Sequence, residues 1–422
     1  MDRRFEFAGI ILLISVAIIV NTLFVSARSS DLLATWIAGQ MFAAEQFSEI
    51  YMTSEPVFTM TPPDSWSAFM AKASGYEDAL FPYLYPPLWA WVASLLGDIS
   101  FESIKRVATL LNAGLLSGCV FLGYRITRAP VNLLVFCLIT LPFLYLTPIG
   151  AVAMFENQPQ ILVCFLLLLT LERLRAQDET TAGIALAIAA ALKIYPAFFA
   201  VFFLASRNKR AFVSFVVAGG LLGLLSVFVA GWPLHQEFLT TAETAAGTTI
   251  ISSVNYSIHG SLAQIFAKDD LVAITMTGGG EINGQSAIWH IYAKSALWNS
   301  VGTLCLLATI GVLWWMQRTS TQAQRFEIIW PITFLFVPLL SPFGWAYYFI
   351  APVVLVPVLF RRLPNVICWI ALTVIFALTA LPMQKSYRTF FDAASAGQIA
   401  ATFAVIVLTA LFLFTLRRKA SR

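Results

Sequence analysis

Thirteen apolar runs recur along this chain, and most are long enough to cross a lipid bilayer as a helix. They fall near 8–26, 84–98, 103–124, 130–149, 157–173, 180–192, 195–206, 211–230, 297–316, 327–341, 345–360, 365–382 and 398–416. A hydrocarbon core about 30 Å thick takes about 20 such residues. The gaps are too short for a large soluble domain. The chain therefore reads as one all-α, polytopic membrane domain over residues 1–422. Composition agrees: 59% of the residues are apolar and 11% charged, where a soluble chain carries about 25% charged residues.

Lys and Arg set the expected sidedness, because they gather on the cytoplasmic side. Arg3 and Arg4 precede the first run. Arg173/Arg175, Arg207/Lys209/Arg210, Arg318/Arg325, Arg361/Arg362 and Arg417/Arg418/Lys419 sit at later ends. All can be cytoplasmic together, with both termini inside. Two long segments then lie outside. Residues 27–83 carry seven acidic residues against Arg28 and Lys72; residues 231–296 hold all three His. The turns at Asn157, Lys193, Ser341 and 383–397 face the same way.

Two cytoplasmic termini require an even number of crossings. The weakest run, 84–98, opens at Pro86-Pro87 and ends at Gly97-Asp98. At 1.5 Å per residue it reaches only about 22 Å, so it reads as half-inserted or strongly tilted, leaving twelve crossings. The runs 180–192 and 195–206 read as a hairpin with Lys193-Ile-Tyr-Pro196 at its tip. The first run has no clear small-x-small cleavage site after it and reads as a retained span. The first outer loop, with Trp66, Phe69 and Met70 among polar residues, predicts amphipathic helices lying on the membrane. The halves show no repeat of the kind many secondary transporters carry.

Several function classes drop out. The net charge of +4 comes from span ends and does not point to nucleic acid. Cys119, Cys137, Cys164, Cys305 and Cys368 stand singly in apolar runs without disulfide or metal spacing. There is no Walker loop, GxGxxG or His-x-x-x-His, and no Asp-x-Asp in the first outer loop, so neither a cofactor nor a metal-bound donor is indicated.

The remaining polar residues are few. Asp31, five residues past the first run, is placed to act as a base at the membrane surface, or as the N-cap of a helix from Leu32. Phe81-Pro-Tyr-Leu-Tyr85-Pro-Pro87 brings Tyr83 and Tyr85 to headgroup level, as an aromatic belt or as sugar- or lipid-binding rings. Glu156-Asn157-Gln158-Pro-Gln160 is a polar turn between helices, either solvated or substrate-binding. Lys193 is a lone cation in membrane, where a charge usually has a partner; a lipid phosphate suits it, as does snorkelling to the interface. Asn255-Tyr-Ser-Ile-His259 offers donors for a phosphate or hydroxyl, or a plain surface turn. Ser341-Pro-Phe-Gly-Trp345-Ala-Tyr-Tyr348 offers rings for stacking on a sugar or isoprenoid chain, or for packing.

Taken in order, Asp31, Tyr85-Pro-Pro-Leu88, Asn157-Gln158, Ala191-Leu-Lys193-Ile-Tyr-Pro196, Asn255-Tyr-Ser-Ile-His259-Gly-Ser-Leu262 and Ser341-Pro-Phe-Gly-Trp345 resemble glycosyltransferase family 87 of the GT-C superfamily. They span about residues 5–350. That family is typified by bacterial polyprenyl-phosphate-mannose-dependent α-mannosyltransferases. The resemblance implies a GT-C fold in a bacterial inner membrane and an external active site. It implies inverting transfer of a hexose from a polyprenyl-phosphate donor to a lipid or glycan acceptor. Asp31 then matches the general base. Lys193, His259, Asn255 and Tyr85 fall near the donor phosphate, and Gln158, Asn157, Trp345 and Tyr348 near the substrate. Two departures, Tyr256 where the family has Gln and Tyr347-Tyr348 where it is often His-rich, fall in binding segments and bear on the donor sugar or acceptor. A transporter or flippase of lipid-linked sugars, or a non-catalytic assembly protein, are the other classes open to the sequence. Neither needs a base at position 31.

Overall fold

The computed structural model describes residues 3–51, 57–73, 80–275, 288–381 and 394–416. Those residues form a bundle of helices capped at one end by short helices and a small sheet. Most of the turn 383–397 and the C-terminal basic group Arg417/Arg418/Lys419 lie outside the described residues.

Helix α1, Arg3–Phe24, is apolar around most of its surface. Leu13 and Val20 face the protein, while Ile11, Ile14, Ile18 and Leu23 are exposed, as lipid contact requires. The helices that follow are α2, Ser30–Ala43; α3, Asp64–Ala73; α4, Pro87–Ser94; and α5, Phe101–Thr127. Next come α6, Leu133–Tyr145; α7, Pro148–Phe155; α8, Gln160–Arg175; α9, Glu179–Leu192; α10, Ala200–Ala205; and α11, Lys209–Ala246. The strands are β1, Thr248–Ile251; β2, Val272–Thr275; and β3, Ile288–Ala293, with α12, Ile258–Phe266, between the first two. The rest of the chain is α13, Ala296–Thr319; the single turn α14, Gln322–Gln324; α15, Trp330–Leu339; α16, Ile350–Leu355; α17, Asn365–Thr379; and α18, Ala394–Thr415.

Among the described residues, five helices are long and apolar enough to span a membrane, and a sixth span results if α6 and α7 count as one. These two are bent 62° from each other. Pro148 opens α7 and the Thr147 hydroxyl caps it at Ile149 N, so the single run 130–149 is broken by ordinary start chemistry. Helix α11 is likewise two helices. Gly231 adopts φ 72°, ψ 159°, a conformation nearly closed to side-chain-bearing residues, and Pro233 restarts the second piece.

The short run 84–98 becomes the eight-residue α4, only about 12 Å long. It packs on α2, whose Gly39 permits the contact: a Cβ there would lie 2.7 Å from the backbone carbon of Ala93. Leu33, Ala34, Ile37, Ala38 and Met41 of α2 are buried, so this helix is held inside protein. Among the described residues of the first outer loop α2 and α3 do form, but Trp66 and Met70 of α3 pack on protein. Trp66 and Met70 are buried among Ile50, Tyr51, Tyr83 and Phe238, and the Trp66 indole donates to Glu49 O at 2.6 Å. Periodicity reports an apolar face without saying which medium covers it.

In the second outer loop the strands pair antiparallel in the order β1-β3-β2, with Ile251 and Ala273 each opposite His290. Ile250 and Ile291 turn inward with Phe58 and Phe81, tying the two outer loops together.

The opposite end of the bundle holds a group of paired arginines. Arg125 and Arg173 pair with Glu172, and Arg361 and Arg362 with Glu327; the Arg361 guanidinium also donates to Arg128 O at 3.0 Å. Glu327 is 2% exposed and Arg362 8%, with Arg362 Nε donating to Glu327 Oε2 at 2.9 Å. Removing one member of such a pair strands the other. Arg362→Ala should therefore cost about 3 kcal/mol. Arg361→Ala, at a side chain 31% exposed and 3.6 Å away, should cost under about 1 kcal/mol. Thermal unfolding of the purified protein in one detergent would rank the two.

Candidate active site

The site is built where the loop after α1 meets the turn between α7 and α8. Ser29 N donates to Phe155 O at 3.0 Å, Leu32 N to Glu156 O at 3.4 Å, and Asn157 Nδ2 to Ser29 Oγ at 2.8 Å. Ser29 (φ 61°) and Asn157 (φ 47°) both take left-handed backbone, which costs of order 1 kcal/mol per non-glycine residue. Those cross-loop bonds hold the two residues there. The first N–H of α2, from Ser30, is accepted by the Glu156 carboxylate at 2.9 Å. Position 31 is therefore inside the first helical turn and is not the N-cap; Ser29 stands at the cap position without a side-chain capping bond, and the carboxylate of another loop does the capping.

Asp31 emerges half-buried from that turn. Its Oδ2 accepts from Gln158 Nε2 at 2.7 Å. Gln158 Nε2 donates also to the Tyr347 hydroxyl at 3.2 Å, while its Oε1 accepts from Tyr85 Oη at 3.1 Å and Lys193 Nζ at 3.3 Å. The Lys193 ammonium lies 4.9 Å from the Tyr348 ring centroid, 5.3 Å from Tyr347 and 5.4 Å from Tyr85, within cation–π range of all three. Lys193 can reach this place because α9 stops at Leu192 and residue 193 is extended, φ −144°, ψ 135°; Pro196 then turns the chain. Arg28 lies on the other flank, 3.4 Å from Glu156 and close to the Phe81 and Phe155 rings.

Burial is the chief reason that the Asp31 carboxyl is pushed up to about 7, and the Glu156 charge adds to it; Lys193, the Gln158 amide and Arg28 pull the other way. Burial raises Glu156 too, against Arg28 and the Ser30 N–H. Burial lowers Lys193, while Asp31 supports its charge. The arrangement joins a carboxyl able to accept a proton near neutral pH to a cation caged by aromatic rings.

Asp31, Tyr85, Gln158, Lys193 and Tyr348 thus converge from five separate segments. Asn157 stands one layer behind: it is 2% exposed, takes Asn112 Nδ2 on its Oδ1 at 3.0 Å and donates to Thr109 Oγ1 at 2.9 Å. Its polar atoms therefore hold the loops together. His259 and Asn255 lie in a second cluster. His259 Nδ1 accepts from the Trp298 indole at 2.8 Å, so its Nε2 carries the hydrogen, which faces Leu340 O at 3.2 Å. Burial pushes it down to about 4, so it is a neutral imidazole with both nitrogens engaged. Asn255 Oδ1 accepts from Ser257 N and Gly344 N, and its Nδ2 donates to Ile250 O. Asn255 pairs antiparallel with Trp345, and Trp345 stacks on Phe343 and Tyr347. The second cluster therefore fixes the strand of chain that delivers Tyr347 and Tyr348 to the first.

Sequence reading did not include Arg28, Glu156 or Tyr347 among the site residues. Glu156 was visible as the one carboxylate in its turn. Arg28 could have been found as the only cation adjoining Asp31, and Tyr347 through its place between Trp345 and Tyr348.

The model of glycosyltransferase family 87 matches residues 83–342. The chain belongs to that family. A curated relative, the polyprenol-phosphate-mannose-dependent alpha-(1-2)-phosphatidylinositol mannoside mannosyltransferase of Mycobacterium tuberculosis, is 26% identical over 294 residues. That alignment takes in 65% of this chain and 61% of the relative. The family match takes in Tyr85, Gln158, Lys193, Asn255 and His259 and begins after Asp31. The family and the five to six apolar helices make this a multi-pass membrane protein.

Proposed function

We propose that this chain is a glycosyltransferase that moves a hexose, mannose in the first instance, from a polyprenyl-phosphate to a lipid or glycan acceptor at the external membrane face. Family membership supports the class, and the Asp31–Gln158–Lys193 constellation is the observation that carries the mechanism. The acceptor hydroxyl attacks C1 of the sugar from the side opposite the phosphate. The bond from C1 to the phosphate oxygen breaks, polyprenyl phosphate leaves, and the hydroxyl proton passes to Asp31. The new bond has inverted configuration at C1. Lys193 opposes the charge that grows on the leaving phosphate. Tyr85, Tyr348 and Trp345 supply aromatic faces for the sugar and the first isoprene units.

The twelve crossings fit the element order if the short or broken helices α6–α7, α8, α9, Tyr195–Ala205, α15, Ala346–Arg361 and α17 complete the five long spans. Both termini and the arginine-rich end then face the cytoplasm, and the base faces the exterior.

The test is transfer from radiolabelled polyprenyl-phosphate mannose to membrane lipid extract by the purified protein in bilayer. Product formation is expected, with a rate that falls tenfold per pH unit below about 7. The sign follows from the chemistry: protonation below that value removes the base. Absence of transfer from any polyprenyl-phosphate sugar overturns the proposal.

A further inference from the structure

All hydrogen-bonding positions of the Gln158 side chain are occupied by protein. Both amide hydrogens are donated, to Asp31 Oδ2 and the Tyr347 hydroxyl. The carbonyl oxygen accepts from Tyr85 Oη, Lys193 Nζ and, at 3.4 Å, Gln160 N. Three donors on one end and two acceptors on the other fix which way the amide faces; reversing it would set N–H against the ammonium. The residue is 2% exposed, so it has no capacity left for a sugar, against the substrate-binding role its turn suggested.

The amide instead stands between two opposite charges. A carboxylate and an ammonium sharing a low-dielectric site attract strongly, yet among the described residues no ion pair within 4.0 Å joins Asp31 to Lys193. The amide dipole satisfies both: its N–H end meets the carboxylate and its oxygen meets the ammonium. Only Oδ2 of Asp31 is taken by it, so Oδ1 faces no partner from Gln158. We infer that Gln158 is a positioning residue that keeps Lys193 from closing onto Asp31, so that the carboxylate stays basic and the ammonium stays available to the donor phosphate. This rests on Asp31 being the base in the proposed reaction.

A direct ion pair would spoil both partners. It would lower the affinity of Asp31 for the acceptor proton by one to three pH units, and it would spend the charge meant for phosphate. The other ionisable groups facing Asp31 are Arg28 ahead of α2, Glu156 after α7, Tyr85 ahead of α4, and Tyr347 and Tyr348 in the turn before α16. Changing Gln158 removes a hydrogen-bond partner from Tyr85 and Tyr347, but neutral phenols carry no charge that could shift Asp31. The effect is therefore readable in the pH profile.

The experiment compares pH profiles of transfer for wild type, Gln158→Met, and Gln158→Met with Lys193→Met, all as full-length protein in bilayer. Met matches the length of Gln without its donors or acceptor. In Gln158→Met the acidic limb should move down by about one pH unit or more, with kcat reduced. In the double variant neither the cation nor the amide remains, and the limb should move above the wild-type value. A purely structural role would lower activity in both without moving the limb in opposite directions. An unmoved or raised limb in Gln158→Met overturns the inference. If that variant does not purify as a folded protein, Gln158→Asn, one methylene too short to span both partners, must show the same downward shift or the inference falls. Asp31→Asn run alongside separates the two levels: full activity there refutes the base itself, whereas its loss with an unmoved Gln158→Met limb refutes only the spacer.

Discussion

Asp31→Asn is expected to lower the transfer rate by on the order of 10³-fold, the usual weight of a positioned base, while the protein folds as before. The side chains are isosteric. The Asn carbonyl oxygen can still accept from Gln158 Nε2, which now holds the carboxylate at 2.7 Å, and the first turn of α2 is capped by Glu156, not by residue 31. What is lost is the ability to take a proton. Thermal unfolding should shift little or upward, because a half-buried charge beside Glu156 has been removed. Initial rates with saturating polyprenyl-phosphate mannose measure the loss. A variant keeping more than about a tenth of wild-type rate would exclude Asp31 as the base.

Lys193→Met comes second, with an expected fall of on the order of 10²-fold in kcat, in the range seen when one transition-state charge contact is removed. The charge on the leaving phosphate grows as the C1–O bond breaks, so the loss should appear in kcat more than in KM. Met fills the same space between the Tyr85, Tyr347 and Tyr348 rings, so the cage need not collapse. Lys193→Arg should not restore the rate. The guanidinium is a larger, planar cation and cannot take the place of the compact ammonium among the three rings without displacing them. Steady-state kinetics of both variants, taken above pH 7, test this; a Met variant altered only in KM would assign Lys193 to ground-state binding.

Much of the fold was legible because lipid demands long apolar helices. The runs at 8–26, 103–124, 211–230 and 297–316 correspond to α1, α5, the first part of α11 and α13, and even the end at residue 230 falls beside the Gly231 break. The short elements were less so. The bend at Thr147-Pro148 sits inside one apolar run, and hydropathy averages over it. The site was legible as a set of unusual residues but not as a constellation. Asp31 and Gln158 are 127 positions apart and meet through a single hydrogen bond. No local pattern distinguishes Asn157, which braces loops, from its neighbour Gln158, which contacts the carboxylate. His259 misled for a related reason: a histidine among hydroxyls looks solvent-facing in sequence, whereas here Trp298 and Leu340 O take both ring nitrogens.

Helices α11 and α13 carry one consequence for handling this molecule. Leu221, Leu224 and Phe228 on the first, and Leu297, Leu304 and Trp315 on the second, are more than half bare of protein. Only 6% of the most apolar stretch of either helix is buried. On these bare faces the neighbour is acyl chain, while α11 packs on α9 along its other side, where Gly183 meets the Ala211 and Phe215 backbone; the surrounding amphiphile is therefore a structural component and not a mere vehicle. Short-chain detergents should loosen them before they disturb the densely packed α5, α8 and α16, and a lipid disc is the natural reference state for every rate quoted above.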